Sequence, residues 1–187
     1  MSQKDIIGRE TRIDIDSNIQ GVPAKIDTGA DGSAIWASDI RIDKQNRLCF
    51  KLFGEGSPFY TGRTLRRTDY SVASVKSASG DENIKFRTHI SIVIKGRRIK
   101  ALFGLCDRST HTYPVLIGRR TLSGKFIVDV SQNEGIYSKL KKTKTKGLSK
   151  KLANDPQDFY QNYYLKGTAK WKLQFYRMAT RIIPLVA

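Results

Sequence analysis

Before residue 137 the chain alternates apolar and polar positions over short stretches separated by turn residues, the period-two pattern of half-buried strands. Residues 70–75 and 84–94 flank the turn-rich Ser77-Ala78-Ser79-Gly80-Asp81, which predicts a hairpin. A second hairpin is expected to turn at Lys95-Gly96-Arg97-Arg98 and to return through residues 99–105. Residues 21–26 and 34–37 read as strands entering and leaving the run Asp27-Thr28-Gly29. Residues 115–117 and 126–130 read as the last two strands, with a short helix or turn over 119–124 between them.

After Gly135 the pattern changes. Lys139-Leu140-Lys141-Lys142-Thr143-Lys144 has like charges and little apolar surface, which predicts a mobile linker. Asn154-Asp155-Pro156 then offers a helix cap with proline near the first helical position, and Gly167 a stop. Trp171, Phe175, Met178 and Ile182 recur at spacings of four, three and four, a helical stripe expected to pack against the parent domain. The expected division is a β-rich domain over 1–137, a basic linker over 138–153 and a helical extension over 154–187.

Composition narrows the class. With 187 residues, 39% hydrophobic and 27% charged, the chain has a globular make-up. No apolar run approaches the roughly 18–20 residues of a membrane span. Met1-Ser2-Gln3-Lys4-Asp5 lacks the apolar core of a secretory signal, so a cytoplasmic location is expected. Cys49, Cys106, His89 and His111 are scattered, without zinc-site spacing, so neither a metal nor another cofactor is expected. The net charge of +17 is uneven: residues 138–187 hold 12 Lys/Arg against 2 Asp, and the remainder 22 against 15. A tail at +10 suits RNA or another anionic surface as a partner, or serves solubility alone.

Asp27-Thr28-Gly29-Ala30 follows an apolar strand, where each residue type has a use in peptide hydrolysis. Two carboxylates about 3 Å apart cannot both ionise, so one holds a proton while the other acts as base. Thr28 can tie two such loops together, and Gly29 permits close backbone approach. The tripeptide alone also suits an ordinary turn. Val115-Leu116-Ile117-Gly118-Arg119 resembles the apolar-apolar-glycine strand that runs behind the catalytic loop of retropepsins. By that resemblance Arg119 pairs with Asp31 near a subunit boundary, a contact that costs roughly 3–5 kcal/mol to break from one side if it is buried. No second Asp-Thr-Gly or Asp-Ser-Gly occurs, so a complete site requires a homodimer.

A narrower resemblance rests on Ile7-Gly8-Arg9-Glu10, Lys25–Ala30 with Ser33-Ala34, Asp69-Tyr70 with Val75-Lys76-Ser77, and Leu116–Arg119 with Leu122, Gly124, Phe126, Val128 and Asp129. Over residues 6–131 these blocks resemble the RimB-type family, once labelled ATP-dependent zinc proteases and now grouped with retropepsin-like aspartic peptidases. The resemblance implies an all-β, retropepsin-like acid-protease barrel, here followed by a helical basic C-terminal extension. It also implies peptidase or amidase chemistry on acidic or glutamyl-modified substrates, often associated with ATP-grasp ligases. The sequence itself shows neither a phosphate loop nor zinc spacing. Asp27, Thr28 and Gly29 are the candidate catalytic residues, and Gly118 and Arg119 their dimer or loop supports. Ala30, Asp31, Lys76, Ser77, Ser79 and Gly80 are candidates for substrate binding. The flap is expected at Ser77-Ala78-Ser79-Gly80 rather than Gly54-Glu55-Gly56, because small residues there lie between alternating strands. Lys76 reads either as a substrate contact or as a solvated surface lysine. Two other classes compete with the enzyme reading: an inactive protease-fold binding module, and a nucleic-acid- or ribosome-associated basic protein.

Overall fold

The structure, a computed structural model, describes residues 4–16, 18–76, 82–136 and 147–165. The chain divides into two compact units, Met1–Ile136 and Tyr137–Ala187. The first holds the strands β1 (Asp5–Ile7), β2 (Glu10–Ile15), β3 (Ile19–Asp27), β4 (Ser33–Ile42), β5 (Leu48–Leu52), β6 (Thr64–Arg67), β7 (Tyr70–Lys76), β8 (Glu82–Ile94), β9 (Arg97–Cys106), β10 (Val115–Gly118) and β11 (Phe126–Val128), with one helical turn, α1 (Arg119–Leu122), between the last two. Strands β10, β3, β2, β8, β9 and β4 pair in that order, and β4 pairs again with β10, so these six close a barrel. This is the all-β barrel expected from the alternating pattern. β5 and β6 extend the sheet beyond β4, β7 pairs with β8, and β1 and β11 form a separate parallel pair.

Alternation decides which residues fill the barrel. Along the ladders Thr88 faces Phe103, Phe103 faces Ser33, Ile35 faces Val115, and Val115 faces Ala24, all of them buried. Residues of the opposite parity, Arg87, Gly104, Ala34, Leu116 and Lys25, form the outer face and are partly or fully exposed. The β8–β9 hairpin turns at Lys95 and Gly96, both at positive φ (49° and 76°), inside the closing pair Ile94 and Arg97. That is the backbone a two-residue hairpin needs to match strand twist, and Gly96 adopts it without strain.

The β7–β8 hairpin projects as an arm whose base is pinned. Tyr70 stacks edge-on to Phe86, its hydroxyl donates to Asn46 O at 2.9 Å, and Thr88 Oγ1 donates to Asp69 O at 2.9 Å. The expected flap tip, with Ser77, Ser79 and Gly80, lies outside the described residues. Lys76 ends β7 opposite Glu82. β5 and β6 come from residues that do not alternate cleanly, and the sequence reading had no strands there.

In the second unit residues 147–154 are helical, so helix begins inside the stretch expected as linker. The Lys150-Lys151-Leu152 segment carries good helix formers, which the charge pattern alone obscured. Asp155 caps the next turn, its Oδ1 accepting from Asp158 N at 2.9 Å with Pro156 at the first helical position, and residues Tyr160–Leu165 continue as a wider π turn. The Trp171–Ile182 stripe lies outside the described residues. Among the described residues no helix is long and apolar enough to cross a membrane.

Candidate active site

Asp27 is the last residue of β3, and Thr28-Gly29 turn the chain immediately beyond it. Gly29 N donates to Asp27 Oδ1 at 3.3 Å and Ala30 N to Asp27 O at 3.3 Å, which fixes the carboxylate relative to its own turn. Asp27 is half-buried while Thr28, Gly29 and Asp31 are exposed, so in a single protomer the loop presents its carboxylate outward.

Behind the loop, β10 runs parallel to β3 and sets Gly118 in register with Asp27. Three backbone N–H groups at the β10–α1 junction then grip the loop. Gly118 N donates to Ser33 Oγ at 3.0 Å, Arg119 N to Ala30 O at 2.8 Å, and Arg120 N to Asp31 O at 3.1 Å. The first N–H groups of a helix have no partner within it, and here the loop carbonyls supply one. Ser33 and Thr121 also hydrogen-bond through their buried hydroxyls at 2.8 Å. Gly118 has to be glycine, because a Cβ there would sit 2.2 Å from Gly32 O and 2.9 Å from Asp31 O. Gly118 and Arg119 therefore lie directly against the back of the Asp27 loop.

The Arg119 guanidinium does pair with the Asp31 carboxylate. However, the two side chains are 59% and 63% exposed, so within one protomer the buried-charge cost does not apply.

Sequence reasoning missed several residues of this region. Ser33 stands in one of the family-like blocks and Thr121 in none, and only the closure of the barrel brings them together across 88 positions. Glu10 is buried with its two oxygens divided between the Tyr113 hydroxyl and Ile136 N, the latter at 2.8 Å, and it stands in register with Lys25, two residues before Asp27. It thereby ties the loop before β10 and the end of the first unit to the catalytic strand. Lys85 and Arg87 were also missed, although strict alternation from Ile84 to Ile94 puts both on the outer face.

Arginines that lie near the expected flap in sequence are spread apart by the fold. Arg97 and Arg98 follow the β8–β9 turn, at the opposite end of 13-residue β8 from Glu82, and Arg97 pairs with Asp5 at 3.5 Å. Arg66 and Arg67 lie on the edge strand β6, a place where basic side chains discourage edge-to-edge pairing. Beside the outer face, the loop before β10 carries His111, whose pKa is lowered by burial and by the positive charge of Arg108, against a smaller opposing pull from Asp107. Among the described residues no three His, Cys, Asp or Glu side chains gather as metal ligands would. A concavity of about 120 Å³ lined by Ile15, Ile19, Leu52 and Leu65 sits at the start of β3, the end remote from Asp27.

Residues 6–139 match the family model described as RimB-like, retropepsin-like aspartic endopeptidase RimB. Among curated proteins none matches the chain. Among solved structures the chain is similar to Lpg0085 of Legionella pneumophila, a protein of unknown function, with TM-score 0.54 and 20% identity over 70% of this chain and 97% of that one. At that identity the likeness concerns the fold.

Proposed function

The chain belongs to the RimB-like family of retropepsin-like aspartic endopeptidases, and on that premise we propose that it hydrolyses peptide or amide bonds as a homodimer with one Asp27 from each subunit. The observation that carries this reading is the Asp27 loop itself: one outward carboxylate per chain, braced from behind by Gly118, Arg119 and Arg120, with a single Asp-Thr-Gly in the sequence. β1 and β11 add support for a second copy. Ile6 and Ile127 lie side by side in register at 50% and 52% exposure, an apolar strip that another subunit can cover.

In such a dimer the paired carboxylates share one proton. The ionised Asp27 takes a proton from water as the water oxygen bonds to the substrate carbonyl carbon, and the protonated one hydrogen-bonds the carbonyl oxygen. Collapse of the tetrahedral intermediate breaks the C–N bond, and the leaving nitrogen receives a proton from the dyad. Acidic peptides or glutamyl conjugates, the amide products of ATP-grasp ligases, suit a first unit whose Lys and Arg outnumber its Asp and Glu.

The test is Asp27→Asn. The substitution should abolish hydrolysis of a Glu-containing peptide while leaving the unfolding transition unchanged, and a folded variant that still turns over would falsify the mechanism. A second reading follows from the +10 of residues 138–187, which favours an anionic polymer as partner of the tail. Deleting 138–187 should then remove salt-dependent RNA binding and spare hydrolysis.

A further inference from the structure

Resting on the peptidase reading, we propose that Arg87 is a specificity residue that binds a carboxylate side chain of the substrate about four residues from the bond that is cut. The ladder registers supply the position. Arg87 lies opposite Gly104, Gly104 opposite Ala34, and Ala34 opposite Leu116, which precedes the Asp27 partner Gly118 by two residues. Directly paired residues share a face, so Arg87 stands on the outer face that also carries Asp27. Three strand spacings of about 4.8 Å, roughly 14 Å along the curved sheet, separate β8 from β10, the neighbour of the Asp27 strand, and an extended peptide whose cut bond lies over β10 covers that span in about four residues at ~3.3 Å each.

The floor between them is low. Gly104 has no side chain, and a Cβ built there would find only Ser33 O at 3.7 Å, while Ala34 contributes a single methyl. Neither residue of this row raises a side chain longer than a methyl group between Leu116 and Arg87.

The charge at this position is uncommitted. Among the described residues neither Arg87 nor Lys85, two positions away on the same face, enters an ion pair, whereas Asp69 is engaged by His89 at 3.4 Å and Asp107 by Ser109 N at 2.8 Å. Arg108 and Lys85 both act as positive charges on His111, in the loop beside this face. The Arg87 guanidinium has five N–H donors. Among the described residues it spends one, from Nη2, on Val72 O at 3.2 Å, and its Nε is enclosed without an acceptor. Turning toward a ligand forfeits one hydrogen bond and relieves one unmet donor, and a planar guanidinium takes a carboxylate in two parallel bonds.

The experiment uses the full chain and a neutral peptide in which a single Glu, or its isostere Gln, is walked outward from the cleaved bond. One Glu position, about four residues out, should lower KM about tenfold relative to Gln. In Arg87→Gln that advantage should fall below about twofold, with kcat for the all-Gln peptide unchanged. Arg87→Lys should keep part of it, and Arg66→Gln, on the remote edge strand, all of it. A Glu advantage that survives Arg87→Gln, or no position with an advantage in the natural chain, would overturn the proposal. If the natural chain cleaves neither peptide, fluorescence anisotropy of the same labelled peptides reads the subsite directly. A Glu preference lost in Arg87→Gln then upholds the subsite while the peptidase reading fails, and equal binding of Glu and Gln peptides overturns both.

Discussion

Replacing Gly118 by alanine puts one methyl group into the joint between β10 and the Asp27 loop. The new Cβ would lie 2.2 Å from Gly32 O, 2.5 Å from Gly32 C and 2.9 Å from Asp31 O, all backbone atoms that cannot swing aside. Restoring ordinary contact requires the loop and β10 to part by about 1 Å, and close-packed interiors take up such intrusions badly. Three hydrogen bonds cross the same joint, from Gly118 N, Arg119 N and Arg120 N. At a net ~0.5–1.5 kcal/mol each, their loss amounts to about 2–4 kcal/mol. With a urea slope of about 2 kcal/mol/M, the midpoint of unfolding should drop by about 1–2 M. Gly32→Ala and Gly104→Ala are the controls. Nothing lies within 4 Å of a Cβ at Gly32 and only Ser33 O, at 3.7 Å, at Gly104, so both midpoints should move little. Hydrolysis by Gly118→Ala should fall by at least tenfold even under conditions where the variant stays folded, because Asp27 is in register with the displaced residue. Equal stability and activity of Gly118→Ala and Gly104→Ala would refute the claim that this joint sets the loop.

Arg119→Ala should cost an isolated protomer no more than about 1 kcal/mol, as exposed pairs do, and should weaken dimerisation more than Arg120→Ala if the pair is covered by a second subunit; sedimentation at several concentrations separates the two effects. Ser33→Ala leaves the buried Gly118 N–H without its acceptor and should destabilise by about 1–3 kcal/mol, whereas Thr121→Ser keeps the hydroxyl partner and should cost less than Thr121→Val, as thermal unfolding can show. Asp43 is held down to about 2 from 3.8, chiefly by the backbone N–H of Arg47 and then by its side chain, with Cys49 and Gln45 also donating. Because the folded value lies below the unfolded one, its stabilisation is complete above about pH 4 and is lost as pH falls toward 2, so the stability gap between the natural chain and Asp43→Asn should close over that interval in acid titration. A gap that stays constant from pH 6 to 2 would remove the carboxylate from the account. Chelators should leave hydrolysis unchanged, and loss restored by zinc would point to a metal-dependent reaction instead.

Local sequence alone was enough for the two central hairpins. Their strands alternate cleanly, and Gly96 supplies the backbone freedom that the β8–β9 turn demands, so nothing distant had to be known. The Asp27 loop and the glycine-arginine pair behind it were legible for a related reason: each of these residue types is held by a constraint strict enough to leave a motif. β5 and β6 were not legible, because they extend a sheet whose edge exists only once β4 is in place. Linear proximity is a poor guide to the charge around the site. Arg97 and Arg98 follow the arm strand in sequence, yet an extended strand carries them to its far end, while Lys85 and Arg87 share the outer face with Asp27 through pairing across β9, β4 and β10. The partners of Ser33, Thr121 and Glu10 could be known only from the folded chain. Their work is done by hydrogen bonds between residues 85 to 126 positions apart, and a polar residue at a buried position has no periodic signal until the barrel closes and supplies its partner.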